Sequence, residues 1–244
     1  MPALSAVDLL GVWEAGQGQA PIGWALALLA AAEPETPLDD LASLSIGSRD
    51  VRLLMLREQL WGRQMVAAVD CPRCRERLEM NLDTREILAQ SGTTPPRELT
   101  LIVGEFTVNL RLPTSLDAIA AAAAGSLDSA RALLLERCVL SAARAGSPIP
   151  QEQLPAHVAA DIPQALVDAD PLADIQFQLE CPSCDHRWRA LFDVVSFLWT
   201  ELDAWSARIV RDVHTLARAY GWREHDILAL SSSRRQLYLD MVGA

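Results

Sequence analysis

The chain has 244 residues, of which half are hydrophobic and 22% are charged, and this composition excludes a disordered protein. Its formal net charge is −11 and all 21 basic residues are arginines, with no basic stripe that would hold nucleic-acid phosphates. The longest apolar run, residues 22–32, is too short to span a bilayer, and the first residues lack the basic region of a signal peptide. We therefore expect a cytoplasmic protein without a membrane span.

The N-terminal region, residues 1–65, is predicted to be helical. Ser5–Ala15 has an amphipathic pattern, and Ile22–Ala32 is an apolar helix that ends where prolines begin. A third helix is predicted to begin at Ser48 as its N-cap and to end at Gly62. Its leucines recur at helical spacing: Leu53, Leu56 and Leu60.

The first cysteine pair, Cys71-Pro-Arg-Cys74, lies in the segment 66–83. Apolar residues alternate with polar ones after this pair, at positions 78, 80 and 82, and Asp83 follows them. Such alternation is typical of a strand with one buried face. The pair is therefore predicted to lie in a tight turn between two short strands.

Residues 84–175 are interpreted as an insertion between two similar segments. After a loop at 91–96, the strands Leu99–Val103 and Phe106–Leu112 flank Gly104-Glu105, which predicts a β-hairpin.

The rest of the insertion is predicted to be mainly helical. Thr114 or Ser115 can cap a helix over Leu116–Ala124, and a second helix is predicted over Ser126–Ala145. The lone Cys138 in that second helix is expected to be a small core residue. Prolines over residues 148–171 indicate a surface connection with at most short helices.

The second cysteine pair, Cys181-Pro-Ser-Cys184, lies in the segment 176–195 and repeats the first pattern. Counted from the last cysteine of each pair, apolar residues recur at +4, +6 and +8, and aspartate stands at +9 in both segments. The two segments are therefore predicted to form equivalent hairpins.

The C-terminal region, residues 196–244, is again predicted to be helical. Apolar residues recur about every 3.67 residues over Val194–Tyr220, as in a long straight α-helix that ends at Gly221. Two shorter helices follow, over Arg223–Leu230 and from a serine cap at 231–233 to Met241. The apolar stripe of the long helix is expected to lie in the core.

The two cysteine pairs together predict one zinc site with Cys71, Cys74, Cys181 and Cys184 as ligands. Two such turns supply the four sulfurs of a closed tetrahedral Zn²⁺ site, and the same sulfurs would also suit iron. The 106 residues between Cys74 and Cys181 make this a split zinc ribbon. The predicted fold is therefore α+β and mainly α, with helical terminal parts around the ribbon and a β-hairpin plus helices inserted in it.

Two other chemistries are possible for the cysteine pairs. In a dithiol oxidoreductase the motif opens a helix, whereas here strand-like alternation follows both pairs. In a catalytic zinc site one coordination position stays open, and His186 is a possible substitute ligand. We expect a structural site, whose negative charge nearby arginines could offset: Arg73, Arg75, Arg77, Arg187 and Arg189. The sequence shows no glycine-rich phosphate loop and no catalytic motif, so we expect no enzyme.

Several segments, in order along nearly the whole chain, carry a resemblance to a known family. They are Leu44–Asp50, Leu53–Arg57, Trp61-Gly62, Asn109–Asp117, Glu136–Cys138, Tyr220–Ser231, Arg234–Tyr238 and the two cysteine motifs. The ordered set resembles the baseplate hub-assembly proteins of T-even-type phages and contractile injection systems, in a zinc-binding branch.

The resemblance implies a non-enzymatic assembly factor or minor component of a contractile tail baseplate. Its partners would be hub or spike proteins, and it would remain cytoplasmic or enter the assembled particle. An acidic surface would suit an electropositive patch on such a client. The alternative is a zinc-ribbon regulator that binds nucleic acid, which the charge distribution disfavours.

Overall fold

The computed structural model describes residues 4–91 and 94–243. Their contacts define two compact units. One unit comprises the described residues up to Thr36 and those from Val195 onward, and the other comprises Pro37–Val194. The predicted helical region 1–65 therefore contributes residues to both units, and the predicted loop at 91–96 includes two residues outside the described part.

The fold is α+β and mainly helical, as predicted. The helices are α1 (Ala6–Gly16), α2 (Pro21–Ala32), α3 (Leu38–Ala42), α4 (Ile46–Trp61), α5 (Thr84–Leu88), α6 (Ser115–Ala122), α7 (Leu127–Cys138), α8 (Ala156–Ala169), α9 (Val194–Tyr220), α10 (Glu224–Leu228) and α11 (Ser232–Gly243). The strands are β1 (Gln64–Asp70), β2 (Arg77–Asp83), β3 (Glu98–Val103), β4 (Phe106–Arg111), β5 (Val139–Arg144), β6 (Ser147–Ile149), β7 (Gln176–Glu180) and β8 (Arg187–Leu191).

The first unit packs α1 and α2 against α9 and the helices after it. Leu10 of α1, Ile209 of α9 and Leu228 of α10 are buried together. Trp24 of α2 lies against Trp199 of α9, with ring centroids 5.0 Å apart. The apolar stripe of α9 is thus largely core, as its period predicts, since Leu198, Leu202, Ile209 and Leu216 are buried.

The second unit contains an antiparallel sheet in the order β3-β4-β5-β6, which α8 covers. The predicted β-hairpin forms its first two strands. Val158 and Ile162 of α8 are buried against Phe106, Val108 and Leu110 of β4. This sheet and helix form the core of the insertion between the two cysteine hairpins.

The predicted helix over Ser126–Ala145 is wrong in its second half. α7 ends at Cys138, and Val139–Arg144 forms strand β5, paired with β4 from Phe106 to Leu110. Alanine, leucine and arginine favour a helix locally, but pairing with an apolar strand overrides that preference. Cys138 itself is buried, as expected.

The segment 148–171 is not the irregular connection that its prolines predicted. It contains α8, a 14-residue helix with Pro163 inside it. Pro155 precedes the first helical residue, where a fixed φ fits the helix start. Packing of Val158 and Ile162 on the sheet stabilises the helix despite the internal proline.

The N-cap of α4 is Ser45 and not Ser48, so the helix begins three residues earlier than predicted. The Ser48 amide donates to Ser45 Oγ at 3.2 Å, which makes Ser48 the third residue of the helix. α4 ends at Trp61 before Gly62, as predicted.

A buried contact joins the start of α4 to the segment that precedes β7. The Gly47 amide donates to Asp170 Oδ2 at 2.9 Å, and both residues are buried. α4 leads into the first cysteine hairpin and Asp170 lies just before the second. The contact therefore brings together the segments that precede two hairpins remote in sequence.

Gly47→Ala is expected to lower the free energy of unfolding by about 2–3 kcal/mol. A Cβ at this position would lie 1.9 Å from Asp170 Oδ1, so the carboxylate would have to move and the buried hydrogen bond would weaken. Gly11→Ala is the matched control, because a Cβ in the middle of α1 meets no atom within 4 Å. Chemical denaturation measures both changes, and an unchanged Gly47→Ala protein would contradict this account.

Asp50→Asn is expected to remove a pH dependence of stability between about pH 4 and pH 6. Burial raises the pKa of Asp50 to about 6, although Arg49 lowers it, and Asp193 and Asp170 raise it further. The folded protein therefore holds this proton more tightly than the unfolded chain, whose aspartates titrate near pH ~3.9. The proton on Asp50 therefore contributes to the free energy of unfolding. This contribution is complete below pH ~3.9 and is lost as the pH rises through 6.

The measurement is urea denaturation of wild type and Asp50→Asn at several pH values. The difference in free energy of unfolding between the two proteins should change by about 3 kcal/mol across that window and stay constant above it. A difference that is constant from pH 4 to pH 7 would contradict the assignment.

Candidate metal centre

Each cysteine pair lies at the end of a two-stranded antiparallel hairpin. β1 pairs with β2, and the last pair before the turn is Asp70 with Arg77. β7 pairs with β8 in the same register, and the last pair is Glu180 with Arg187. The alternation that the sequence predicted is present in both second strands. Leu78, Met80 and Leu82 in β2, and Trp188 and Ala190 in β8, are less exposed than the residues beside them.

The two turns have the same backbone hydrogen bonds. In the first turn the Cys71 amide donates to the Glu76 carbonyl at 2.8 Å, and the Arg75 amide donates to the Cys71 carbonyl at 2.9 Å. The second turn repeats both bonds, at 2.9 Å each, with Cys181, Asp185 and His186 in the equivalent positions. The chain therefore folds each Cys-Pro-X-Cys segment into the same rigid loop.

Arg75 and Asp185, which follow the second cysteine of each pair, have left-handed backbones with φ of 63° and 55°. Non-glycine residues adopt this conformation rarely, and here it turns the chain back toward the second strand. Sequence reasoning missed these two residues. Their equal spacing from the cysteines was the signal that could have identified them.

The structure brings the four predicted ligand sulfurs together. Cys71 Sγ lies 3.8 Å from Cys184 Sγ, and Cys74 Sγ lies 3.5 Å from Cys181 Sγ. All four sulfurs lie within 4.8 Å of one another. Cys71 and Cys181 are buried, whereas Cys74 is exposed.

These distances fit a single tetrahedral ion. Sulfurs that bind one zinc ion at about 2.3 Å stand about 3.8 Å apart at the corners of a tetrahedron. They do not fit disulfides, whose sulfurs lie about 2.05 Å apart, and all four cysteines are free thiols. The arrangement can therefore hold one metal ion with ligands from both hairpins.

Cys71 and Cys74 differ in how readily their thiols ionise. Burial raises the pKa of Cys71, but hydrogen bonds from the Cys74 and Arg73 amides outweigh it and lower the pKa to about 7. The Glu76 amide lowers the pKa of Cys74, but partial loss of hydration and hydrogen bonds with the other thiols raise it to about 12. Negative charge on one sulfur therefore opposes ionisation of the next, and a divalent cation relieves that repulsion.

Neighbouring side chains have partners other than the sulfurs. The ring of His186 stacks on that of Trp188, with centroids 5.8 Å apart, and His186 is not part of the four-cysteine cluster. Arg187 pairs with Glu180 at 2.9 Å across the hairpin. The fifth cysteine, Cys138, is buried elsewhere, and burial raises its pKa to about 11.

A comparison with protein-family models matches residues 30–199 to a family described as T4 bacteriophage base plate protein. The match covers more than half of the chain. The chain belongs to this base plate protein family. Searches of curated proteins and of solved structures found no match.

Membership of the base plate protein family supports a structural role in a phage base plate. The matched residues include both cysteine hairpins and the whole insertion between them. None of the helices in the described part of this base plate family member is long and apolar enough to cross a bilayer.

Proposed function

We propose that the protein is a non-enzymatic assembly factor, or a minor structural component, for the hub of a contractile tail baseplate. Its cysteine cluster holds one structural zinc ion through Cys71, Cys74, Cys181 and Cys184. The observation that carries the proposal is the convergence of four sulfurs from two hairpins inside the region that matches the base plate family.

The zinc ion would supply the bond between segments that are 107 residues apart. The sheets β1–β2 and β7–β8 have two strands each, and an isolated two-stranded hairpin is marginally stable in water. Four thiolates leave no open position on the metal, which favours a structural and not a catalytic ion. The ribbon would thereby hold the insertion in a fixed orientation for binding to a hub or spike protein.

The test of the metal is elemental analysis of the purified protein. We expect one zinc per chain, four thiols that react with a thiol reagent only after a chelator is added, and no colour. A coloured protein with iron would identify a rubredoxin-like ion, and accessible thiols without metal would overturn the zinc proposal.

The test of the assembly role is affinity capture from cells that express the neighbouring genes, followed by mass spectrometry. Recovery of hub or spike proteins with the tagged chain would support the proposal. Their absence, with the same proteins present in the lysate, would overturn it. A nucleic-acid regulator would instead bind DNA or RNA with an affinity that falls steeply with salt.

A further inference from the structure

The charge of the chain is unevenly distributed. Residues 204–244 contain six arginines and four carboxylates, a net charge of +2, whereas residues 1–203 carry −13. Residues 1–48 contain six carboxylates and no basic residue. The chain therefore has a positive C-terminal part and a strongly acidic beginning.

The positive part contains a groove between α9 and α11 with a volume of about 310 Å³. Its lining includes the half-buried Trp205 and the buried Ile209, with Arg208 and Arg211 exposed at the same groove. Arg235 is buried there and pairs with Asp212 at 3.5 Å. We call this feature the α9–α11 groove.

Arg208 and Arg211 are both exposed at this groove, whose carboxylate, Asp212, pairs with Arg235. Neither side chain makes an ion pair or a hydrogen bond with any residue in the part of the chain that the structure describes. Two unpaired guanidinium groups beside a tryptophan favour a ligand that brings carboxylates and an apolar side chain together.

The chain itself carries a segment of that kind. Residues 34–40, Pro-Glu-Thr-Pro-Leu-Asp-Asp, are mostly exposed, and we call them the acidic segment. The side chain of Leu38 is 54% exposed, so it can contact another molecule. The carboxylates of Asp39 and Asp40 have no ion-pair or hydrogen-bond partner among the described residues.

We propose that copies of this chain associate head to tail, with the acidic segment of one copy in the α9–α11 groove of the next. Leu38 would contact Trp205, and Asp39 and Asp40 would pair with Arg208 and Arg211. Because the two surfaces differ, a pair of associated copies keeps one free groove and one free segment, and further copies can bind to both. Such contacts generate a closed ring or an open filament.

The charge distribution favours this contact over other contacts between two copies of the chain. Two copies repel each other in most orientations because the first 203 residues carry −13. Attraction is restricted to contacts in which the positive part of one copy faces the acidic part of another. A nucleic acid fits the groove less well, because a polyanion would be held by few arginines and repelled by the rest of the chain.

The decisive experiment is a charge exchange measured by sedimentation velocity at low salt. Wild type should associate beyond a dimer as its concentration rises, and association should fall in 0.5 M salt. Arg208→Glu with Arg211→Glu, and separately Asp39→Arg with Asp40→Arg, should each reduce association at least tenfold. A mixture of the two double variants should associate again, since each interface then joins opposite charges.

Matched controls change the same number of charges at exposed positions elsewhere. Arg97→Glu with Arg131→Glu, and Glu152→Arg with Asp161→Arg, should associate like wild type. A wild-type protein that stays monomeric at all concentrations would overturn the proposal. So would double variants that each associate normally, or a mixture that does not recover.

A second measurement needs no folded variant. A labelled synthetic peptide of residues 33–41 should bind the wild-type chain, and a peptide with serine in place of Leu38 should bind at least fivefold more weakly. Equal binding of the two peptides, or no binding, would contradict the proposed contact, as would a DNA probe that binds and displaces the first peptide. Zinc content and hub capture do not enter these readouts, so this proposal and the proposed function can fail separately.

Discussion

Replacing Cys74 or Cys181 by serine is expected to cause the same loss of metal and of cooperative folding. The two residues lie on different hairpins, but their sulfurs are 3.5 Å apart. A serine hydroxyl does not replace a thiolate, and metal binding contributes to folding in such sites. Each variant should lose bound zinc and at least ~4 kcal/mol of the free energy of unfolding of the second unit.

The matched control is Cys138→Ala, which removes the one cysteine outside the cluster. It should keep full metal content and lose about 1 kcal/mol, because Cys138 is a small buried side chain. Zinc analysis and denaturation of all three variants decide the question. If the Cys74 and Cys181 variants differ strongly from each other, the two hairpins do not share one ion.

Asp117→Asn is expected to lower the free energy of unfolding by about 3–5 kcal/mol. The carboxylate is fully buried and accepts hydrogen bonds from Arg111 at 2.6 and 2.9 Å and from Arg137 at 2.6 Å. The Thr114 amide and hydroxyl donate to the same carboxylate at the start of α6. An asparagine would leave two guanidinium groups without their counterion at the junction of β4, α6 and α7.

The effect of Asp117→Asn should depend on pH. Burial raises the pKa of Asp117, but hydrogen bonds from Arg111, Arg137 and Thr114 outweigh it and hold the pKa well below its usual range. The folded state therefore favours the ionised form, so the stabilisation is present above pH ~3.9 and is lost as the pH falls further. The difference in free energy of unfolding between wild type and Asp117→Asn should accordingly become smaller below pH ~4.

Glu105→Gln provides the comparison for that variant. Glu105 pairs with Arg144 at 2.7 Å, but both side chains are about half exposed. Exposed ion pairs contribute less than about 1 kcal/mol, so this change should have a small effect. Urea denaturation at pH 3.5 and pH 7 tests both variants, and equal effects at pH 7 would contradict the role given to Asp117.

The sequence predicted the cysteine cluster because its determinants are local. Cys-Pro-X-Cys followed by period-two alternation specifies a hairpin within about 20 residues, and a repeat of the same pattern indicates a partner. The left-handed residues Arg75 and Asp185 were not predicted, because arginine does not signal such a backbone and aspartate signals it only weakly. The pairing of Gly47 with Asp170 spans 123 residues and leaves no local pattern.

The errors in the insertion have a tertiary cause. Residues 139–144 favour a helix by composition, but they pair with strand β4 and form a strand of the sheet. Residues 156–169 contain a proline that argues against a helix, and the sheet stabilises one there by covering Val158 and Ile162. Both outcomes depend on a surface that lies elsewhere in the chain.

The separation of the two cysteine turns also constrains how the chain is made. Cys71 leaves the ribosome 113 residues before Cys184. At about 5–20 residues per second, roughly 6–23 s pass before Cys184 emerges. During that interval the thiols of Cys71 and Cys74 can be oxidised or can bind another metal ion. The second unit, which ends at Val194, can fold before residues 195–244 are synthesised, whereas the first unit needs those residues.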